Sequence, residues 1–146
     1  MDSEPKISFI IPVYNEERNI QNVLHDLHEV LDTHPEWAGE VIVIEDGSTD
    51  RTKDVILKES KHYSDLQLIF HEKNKGYTQS LKDGIEKAKG KFLMYVGADE
   101  EFDCSELPEF INPLLSGEAD VILGVRWQRN AYKLFRFFLS VIYIFF

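Results

Sequence analysis

The sequence predicts an α/β domain with a largely parallel sheet. Runs of strand length, rich in β-branched and aromatic residues, alternate with longer stretches of helical periodicity, and the punctuation between them is short. Acids, glycines and capping residues gather directly after the strands. In open parallel sheets ligands bind beyond the carboxyl ends of the strands, so the chemistry is expected in those loops.

Ile7-Ser8-Phe9-Ile10-Ile11 reads as the first strand, and Pro12 ends its ladder. Asn15 is expected to cap the helix that follows, with Glu16 and Glu17 at its positive end and Ile20, Val23, Leu24, Leu27, Val30 and Leu31 recurring at helical spacing. His25 and His28 fall off that stripe and are expected on its solvated face, with no metal role. A second strand runs from Glu40 to Ile44, and the turn residues 45–50 open a short helix around Val55, Ile56 and Leu57. Leu66 to Phe70 is the third strand. The loop 71–76 leads into a helix with Tyr77, Leu81, Ile85 and Ala88 on one side, stopped by Gly90. Lys91 to Val96 is a fourth strand, a helix runs from Ser105 or Glu106 to about Ser116, and Asp120 to Val125 is expected as a further strand with Arg126 at its end.

With 146 residues, 43% of them hydrophobic, and no repeat, low-complexity tract or linker, residues 1–146 read as a single domain with a sizeable core. The net charge of −10 argues against nucleic acid as a partner, because such proteins present a basic face to the phosphates. The charge is uneven: from Val125 to Phe146 there are four basic residues and no acids, against 12 basic and 26 acidic residues before them. A basic, aromatic tail on an acidic body is expected to face an anionic or membranous partner. Its apolar part, Leu134 to Phe146, is shorter than the roughly 20 residues that cross a bilayer, so it is expected to lie in the interface. A single cysteine, Cys104, and an acidic N-terminus without secretory order point to the cytoplasm. Neither a Walker-type phosphate loop nor a dinucleotide fingerprint is present.

Three motifs carry candidate chemistry. In Pro12-Val13-Tyr14-Asn15-Glu16, Tyr14 offers a ring face and Glu16 an acceptor for a base or ribose; taken alone the motif is equally a strand exit with a helix cap. Glu45-Asp46-Gly47-Ser48 sets two acids at a turn, one free to cap and the other to accept from a nucleoside, or else both serve only the turn. In Gly97-Ala98-Asp99-Glu100-Glu101, Asp99 and Glu101 lie two apart and are expected to turn toward one divalent cation, the alternative being a solvated acidic loop.

Together these stretches, with Ala119-Asp120-Val121-Ile122-Leu123-Gly124-Val125-Arg126, resemble the family 2 glycosyltransferases, nearest to the dolichyl or polyprenyl phosphate mannosyl- and glucosyltransferases. The resemblance implies a GT-A fold, a mostly parallel sheet with helices on both faces, that binds a nucleotide-sugar with Mg²⁺ or Mn²⁺. Carried over by position, Pro12, Tyr14, Glu16, Ile44 and Asp46 would frame the nucleoside. Ala98, Asp99 and Glu101 would line the diphosphate and metal, with Asp99 and Glu101 as the metal ligands, and Arg126 would reach phosphate. Arg136 and Ser140 match the segment that approaches the acceptor phosphate. The family's acidic motif normally begins with an acid where this chain has Gly97, which removes one ligand.

The reading is therefore a hexosyltransferase acting from a UDP- or GDP-sugar on a polyprenyl phosphate, peripheral at the cytoplasmic face of a membrane. No catalytic residue is assigned. Residues 131–146 would form an interfacial or acceptor-side helix cut short, since the pattern ends without a cap and the branch usually continues. The competing expectations are a truncated, inactive nucleotide-sugar-binding domain and a membrane-associated interaction module.

Overall fold

The computed structural model describes residues 5–63 and 65–124. Four strands, β1 (Ile7–Val13), β2 (Gly39–Glu45), β3 (Leu66–Phe70) and β4 (Phe92–Tyr95), form one sheet in the order β3-β2-β1-β4. Every pairing is parallel, with Ile10 opposite both Ile42 and Tyr95. Helix α1 (Ile20–Thr33) follows β1, α2 (Thr52–Glu59) follows β2, α3 (Tyr77–Lys87) follows β3, and α4 (Leu107–Ser116) follows a 3-10 turn at Cys104–Glu106.

The period of two along the central strands divides the core. Phe9, Ile11 and Val13 of β1 and Val41 and Val43 of β2 face Ile20, Val23, Leu24 and Leu27 of α1 in the larger cluster. Ile10, Ile42 and Ile44 face the other way, toward Leu81 of α3 and Ala88 just past its end. Helices thus cover both faces, which is why β1 and β2 are buried nearly throughout and read as bare apolar runs. Each fully buried isoleucine or leucine contributes roughly 1.5–3 kcal/mol, so these two strands anchor the loops that follow them.

Five expectations are corrected. Pro12 does not end the ladder of β1, which continues through Val13, paired in register with Glu45 of β2. Asn15 is not the cap of α1: it sits at φ +56°, and the helix begins after Asn19. The strand expected over Asp120 to Val125 is irregular in its described part, residues 120–124. Val121 and Leu123 are exposed, and among the described residues no strand flanks this segment to satisfy its β-propensity. Helix α3 seats on Ser80, Leu81 and Gly84, with Ala88 just past its end, leaving Tyr77 and Ile85 exposed. Gly84 sets that face, because a Cβ there would lie 2.6 Å from Ile10 Cγ2 and 2.8 Å from Ile44 Cδ1. Finally, His28 is buried. It stacks on Tyr63 at 3.8 Å between ring centroids, and its ring nitrogens lie 2.7 Å from the Leu24 carbonyl and 3.2 Å from Asp65. His25 is exposed, as expected.

At the end of the sheet opposite the strand-end loops, Glu40 is buried and accepts from Ser8 Oγ at 2.5 Å, Gln67 Nε2 at 2.6 Å, and the Lys89 and Gly90 N–H groups at 2.6 and 3.1 Å. Burial works to raise this carboxyl, but the donors outweigh it and hold it below the ordinary carboxylate value. A depressed folded value gives stability that is present above the unfolded value and lost as pH falls through the folded one. Glu40→Gln turns an N–H toward those donors and is expected to cost about 1–3 kcal/mol. Urea unfolding at neutral and acidic pH checks this, the difference from wild type shrinking as the pH drops.

Candidate functional site

The ends of β1 and β2 are laced together. The Asn15 N–H donates to Ser48 Oγ at 3.0 Å, and Asn15 Oδ1 accepts from the Thr49 N–H at 2.8 Å. The Glu16 N–H donates to Thr52 Oγ1 at 2.8 Å, while the Arg51 N–H donates to Glu17 at 2.9 Å. Asp50 takes the Thr52 N–H at 2.9 Å and the Glu17 N–H at 3.3 Å. Residues legible as local caps therefore brace one strand-end loop against the next, and the left-handed Asn15 turns the chain to make this possible. Glu45 Oε1 closes its own turn on the Ser48 N–H at 2.6 Å.

Asp46 is held from a third loop. Its Oδ1 accepts from His71 Nδ1 at 2.6 Å and the Lys75 N–H at 2.9 Å, and its Oδ2 accepts from the Gly76 N–H at 2.9 Å. Burial would raise the Asp46 carboxyl, but the His71 hydrogen bond and these two N–H groups bring it below its ordinary value, so it stands ionised. Gly76, at φ +89°, admits the backbone turn that aims its N–H at Asp46 and opens α3 one residue later.

These loops enclose a cleft of about 390 Å³ at the carboxyl end of the sheet, a size proper to small-molecule sites. Pro12, Tyr14, Glu16, Asp46, Ala98 and Asp99 all line it, so six residues singled out from the sequence meet on one surface. Asn74, Gly76, Tyr77, Ser80 and Tyr95 line it too and were missed. The dense turn 71–76 between β3 and α3 was the available signal for Asn74 and Gly76; nothing in the sequence pattern marks Tyr95. Ile44 is fully buried beneath α3 and does not reach the cleft. Arg126, Arg136, Ser140 and the helix expected over residues 131–146 lie outside the described residues.

Asp99 and Glu101 do not line one depression. Asp99 lines the cleft, whereas Glu101 lines a neighbouring depression with Asn22, Asp26 and Asp103. Residues two apart share a side only in extended backbone, and Glu100 at φ +56° turns the chain between them. Asp99 Oδ1 takes the Glu101 N–H at 3.2 Å, which folds its carboxylate back over Gly97: a Cβ on Gly97 would lie 2.9 Å from that oxygen. Among the described residues, three metal-ligating side chains come within reach of one another at His25, Asp26 and Glu29, all exposed on α1 and away from the cleft. Cys104 is buried, and burial pushes its thiol up to about 11, which removes it as a nucleophile.

A parallel α/β sheet whose strand-end loops close on an acidic, tyrosine-lined cleft defines a domain of the small-ligand-binding α/β class. Residues 8–142 match the family model described as glycosyl transferase family 2, and the chain belongs to that family, with a GT-A fold. It is 34% identical over 99 residues to the dolichyl-phosphate beta-glucosyltransferase ALG5D of Trichomonas vaginalis, covering 64% of this chain and 30% of that one. Among solved structures it is similar to the mannosyltransferase PcManGT from Pyrobaculum calidifontis in complex with GDP-Man and Mn²⁺, at 26% identity and a TM-score of 0.59 over 66% of this chain and 28% of that one. S. aureus TarS 1-349 in complex with UDP-GlcNAc gives 25% identity and a TM-score of 0.67 over 90% and 38%. The chain spans between 20% and 52% of the length of the first curated relatives it matches. No helix among the described residues is long and apolar enough to cross a membrane.

Proposed function

We propose that this chain is the donor-binding part of an enzyme that transfers a hexose from a UDP- or GDP-sugar to a polyprenyl phosphate, peripheral at the cytoplasmic face of a membrane. The observation that carries the reading is the convergence of Tyr14, Asp46 and Asp99 from three strand ends on one cleft. Support for the acceptor comes from the dolichyl-phosphate relative and from the basic, aromatic run 125–146; support for the donor comes from neighbours bound to GDP-Man and UDP-GlcNAc.

Tyr14 gives the base a ring face, and the ionised Asp46 accepts from its edge. Uracil and guanine present a ring N–H there; cytosine and adenine present an acceptor, which a carboxylate repels. Asp99 would hold Mg²⁺ or Mn²⁺ at the cleft, while Glu101 lines the separate depression. Asp99, which lines the cleft together with the carboxylates of Glu16 and Asp46, fits such an ion, because Mg²⁺ is usually bound through one or two carboxylates, water and the substrate phosphates. Bound there, the metal supplies positive charge to the departing diphosphate. The acceptor phosphate oxygen attacks the anomeric carbon, the new C–O bond forms as the bond to the β-phosphate breaks, and the nucleoside diphosphate leaves with inversion. An anionic acceptor needs no base to deprotonate it, consistent with the absence of an assigned one.

A second reading, an inactive donor-binding domain, rests on Gly97, where the family's acid is missing. Calorimetric titration with UDP, GDP, CDP and ADP, with and without Mn²⁺, separates these readings from an interaction module: metal-dependent binding of UDP or GDP alone is expected, and no binding of any of the four would overturn both. Release of nucleoside diphosphate from the donor only when polyprenyl phosphate is added then distinguishes enzyme from inactive binder.

A further inference from the structure

The loop between β3 and α3 contains a side chain that the transfer reaction itself does not use. His71 is buried, its side chain 2% exposed, with a carboxylate at each ring nitrogen: Nδ1 lies 2.6 Å from Asp46 Oδ1 and Nε2 lies 2.7 Å from Asp83 Oδ2. An ionised carboxylate only accepts, so both contacts are hydrogen bonds only when both ring nitrogens carry a hydrogen. The charged groups facing the ring come from every neighbouring element: Asp46 at the end of β2, Asp83 from α3, and Lys75 from the ring's own loop, with Nζ 3.7 Å from Asp83 Oδ2. Gln79 Nε2 fixes the other Asp83 oxygen at 2.7 Å.

We propose that His71 is a positioning residue of the donor site: a doubly protonated imidazolium, held from behind by Asp83, that fixes the Asp46 carboxylate in the cleft. A carboxylate offers about four acceptor directions, and His71, Lys75 and Gly76 fill three of them from the protein side. Oδ2, which takes a single N–H, keeps a direction for the ligand. Without the His71 proton the Asp46 carboxylate would be tied only to the two loop N–H groups and would share its negative charge with no cation as it meets the ligand. Asp83 acts one step further out, setting the ring's tilt and keeping its second proton. The carboxylate, imidazolium and carboxylate thus connect the end of β2, loop 71–76 and α3, and couple their arrangement to donor affinity. This inference rests on the reading of the cleft as a donor site.

The experiment is UDP binding to the full chain with Mn²⁺, measured for wild type, His71→Asn, His71→Gln and Asp83→Asn, together with ¹⁵N NMR of the His71 ring. An asparagine amide reproduces the Nδ1 donor and a glutamine amide the Nε2 donor. His71→Asn, which keeps the hydrogen bond to Asp46 but not the charge, is therefore expected to lose about threefold in UDP affinity, and His71→Gln, which keeps neither at Asp46, about tenfold, the size of one charge-assisted hydrogen bond. A role in packing alone predicts the reverse, since glutamine fills the ring's volume better, so equal affinities or a better glutamine variant would overturn the proposal. The ring should show two protonated nitrogens in wild type and one in Asp83→Asn; a neutral wild-type ring, or a state unchanged in Asp83→Asn, would overturn it even if both His71 variants failed to fold. Should wild type bind neither UDP nor GDP, the donor reading fails, while the ring signature still decides the protonation of His71.

Discussion

Replacing Gly47 by alanine is expected to cost on the order of 3 kcal/mol of stability and to weaken UDP binding at least about tenfold. Gly47 sits at φ +66°, where an L residue is strained, and its Cβ would lie 2.4 Å from the Lys73 carbonyl carbon and 2.6 Å from the Asn74 nitrogen. Both are backbone atoms, so no side chain can swing away and the loop itself must move. That loop delivers the Lys75 and Gly76 N–H groups to Asp46 and places Asn74 in the cleft. Gly117→Ala is the control, because Gly117 has a similar φ of +77° with nothing within 4 Å of the added carbon. It should lose only about 1 kcal/mol and no affinity. Equal losses of stability in thermal or urea unfolding would mean that the close approach of loop 71–76 to Gly47 contributes nothing.

The strands that support this site were legible because parallel strands covered on both faces carry little besides apolar residues. Leu66 to Phe70 matches β3 residue for residue, and β1, β2 and β4 were located within two residues at each end. What was not legible depends on partners that lie far along the chain. Periodicity locates α3, but only the packing of Gly84 on Ile10 and Ile44 rotates it so that Tyr77 faces outward beside Tyr95, 5.8 Å away between ring centroids. Likewise, β4 reads as a buried strand until the order of the described sheet shows it as the last strand, with Leu93 and Tyr95 exposed.

The site divides in the same way. Tyr14, Asp46 and Asp99 follow strands, and the rule that ligands gather at carboxyl ends puts them together before any coordinate is known. The braces between their loops could not be assigned from local pattern, because Ser48, Thr49, Asp50 and Thr52 have the same composition whether they cap their own helix or bind Asn15, Glu16 and Glu17 across the cleft's rim. Asp46 and His71 are 25 residues apart, and His71 became meaningful only when both its nitrogens were found against carboxylates.

Asp99→Asn should abolish the metal-dependent part of donor binding, a loss of at least roughly 100-fold, the upper end of what changes even beyond the ligand sphere cost. The substitution keeps an Oδ1 that can accept the Glu101 N–H, so the turn over Gly97 is retained and the fold is untouched; what disappears is the negative charge that Asp99 brings to the cleft. Neutral amide oxygen is a poor replacement where a hard divalent ion meets a diphosphate and few protein ligands share the load. Glu101→Gln is expected to do much less, because its side chain lies in the adjoining depression. Titrating UDP with and without Mn²⁺ against both variants makes the comparison. If Asp99→Asn retained its Mn²⁺ response while Glu101→Gln lost it, the ion would belong to the depression beside α1 and the cleft would bind its ligand without it. With Gly97 in place of the family's acid, the charge Asp99 supplies has no neighbour in that motif position to substitute for it, and this is why a single carboxylate is expected to decide the metal response.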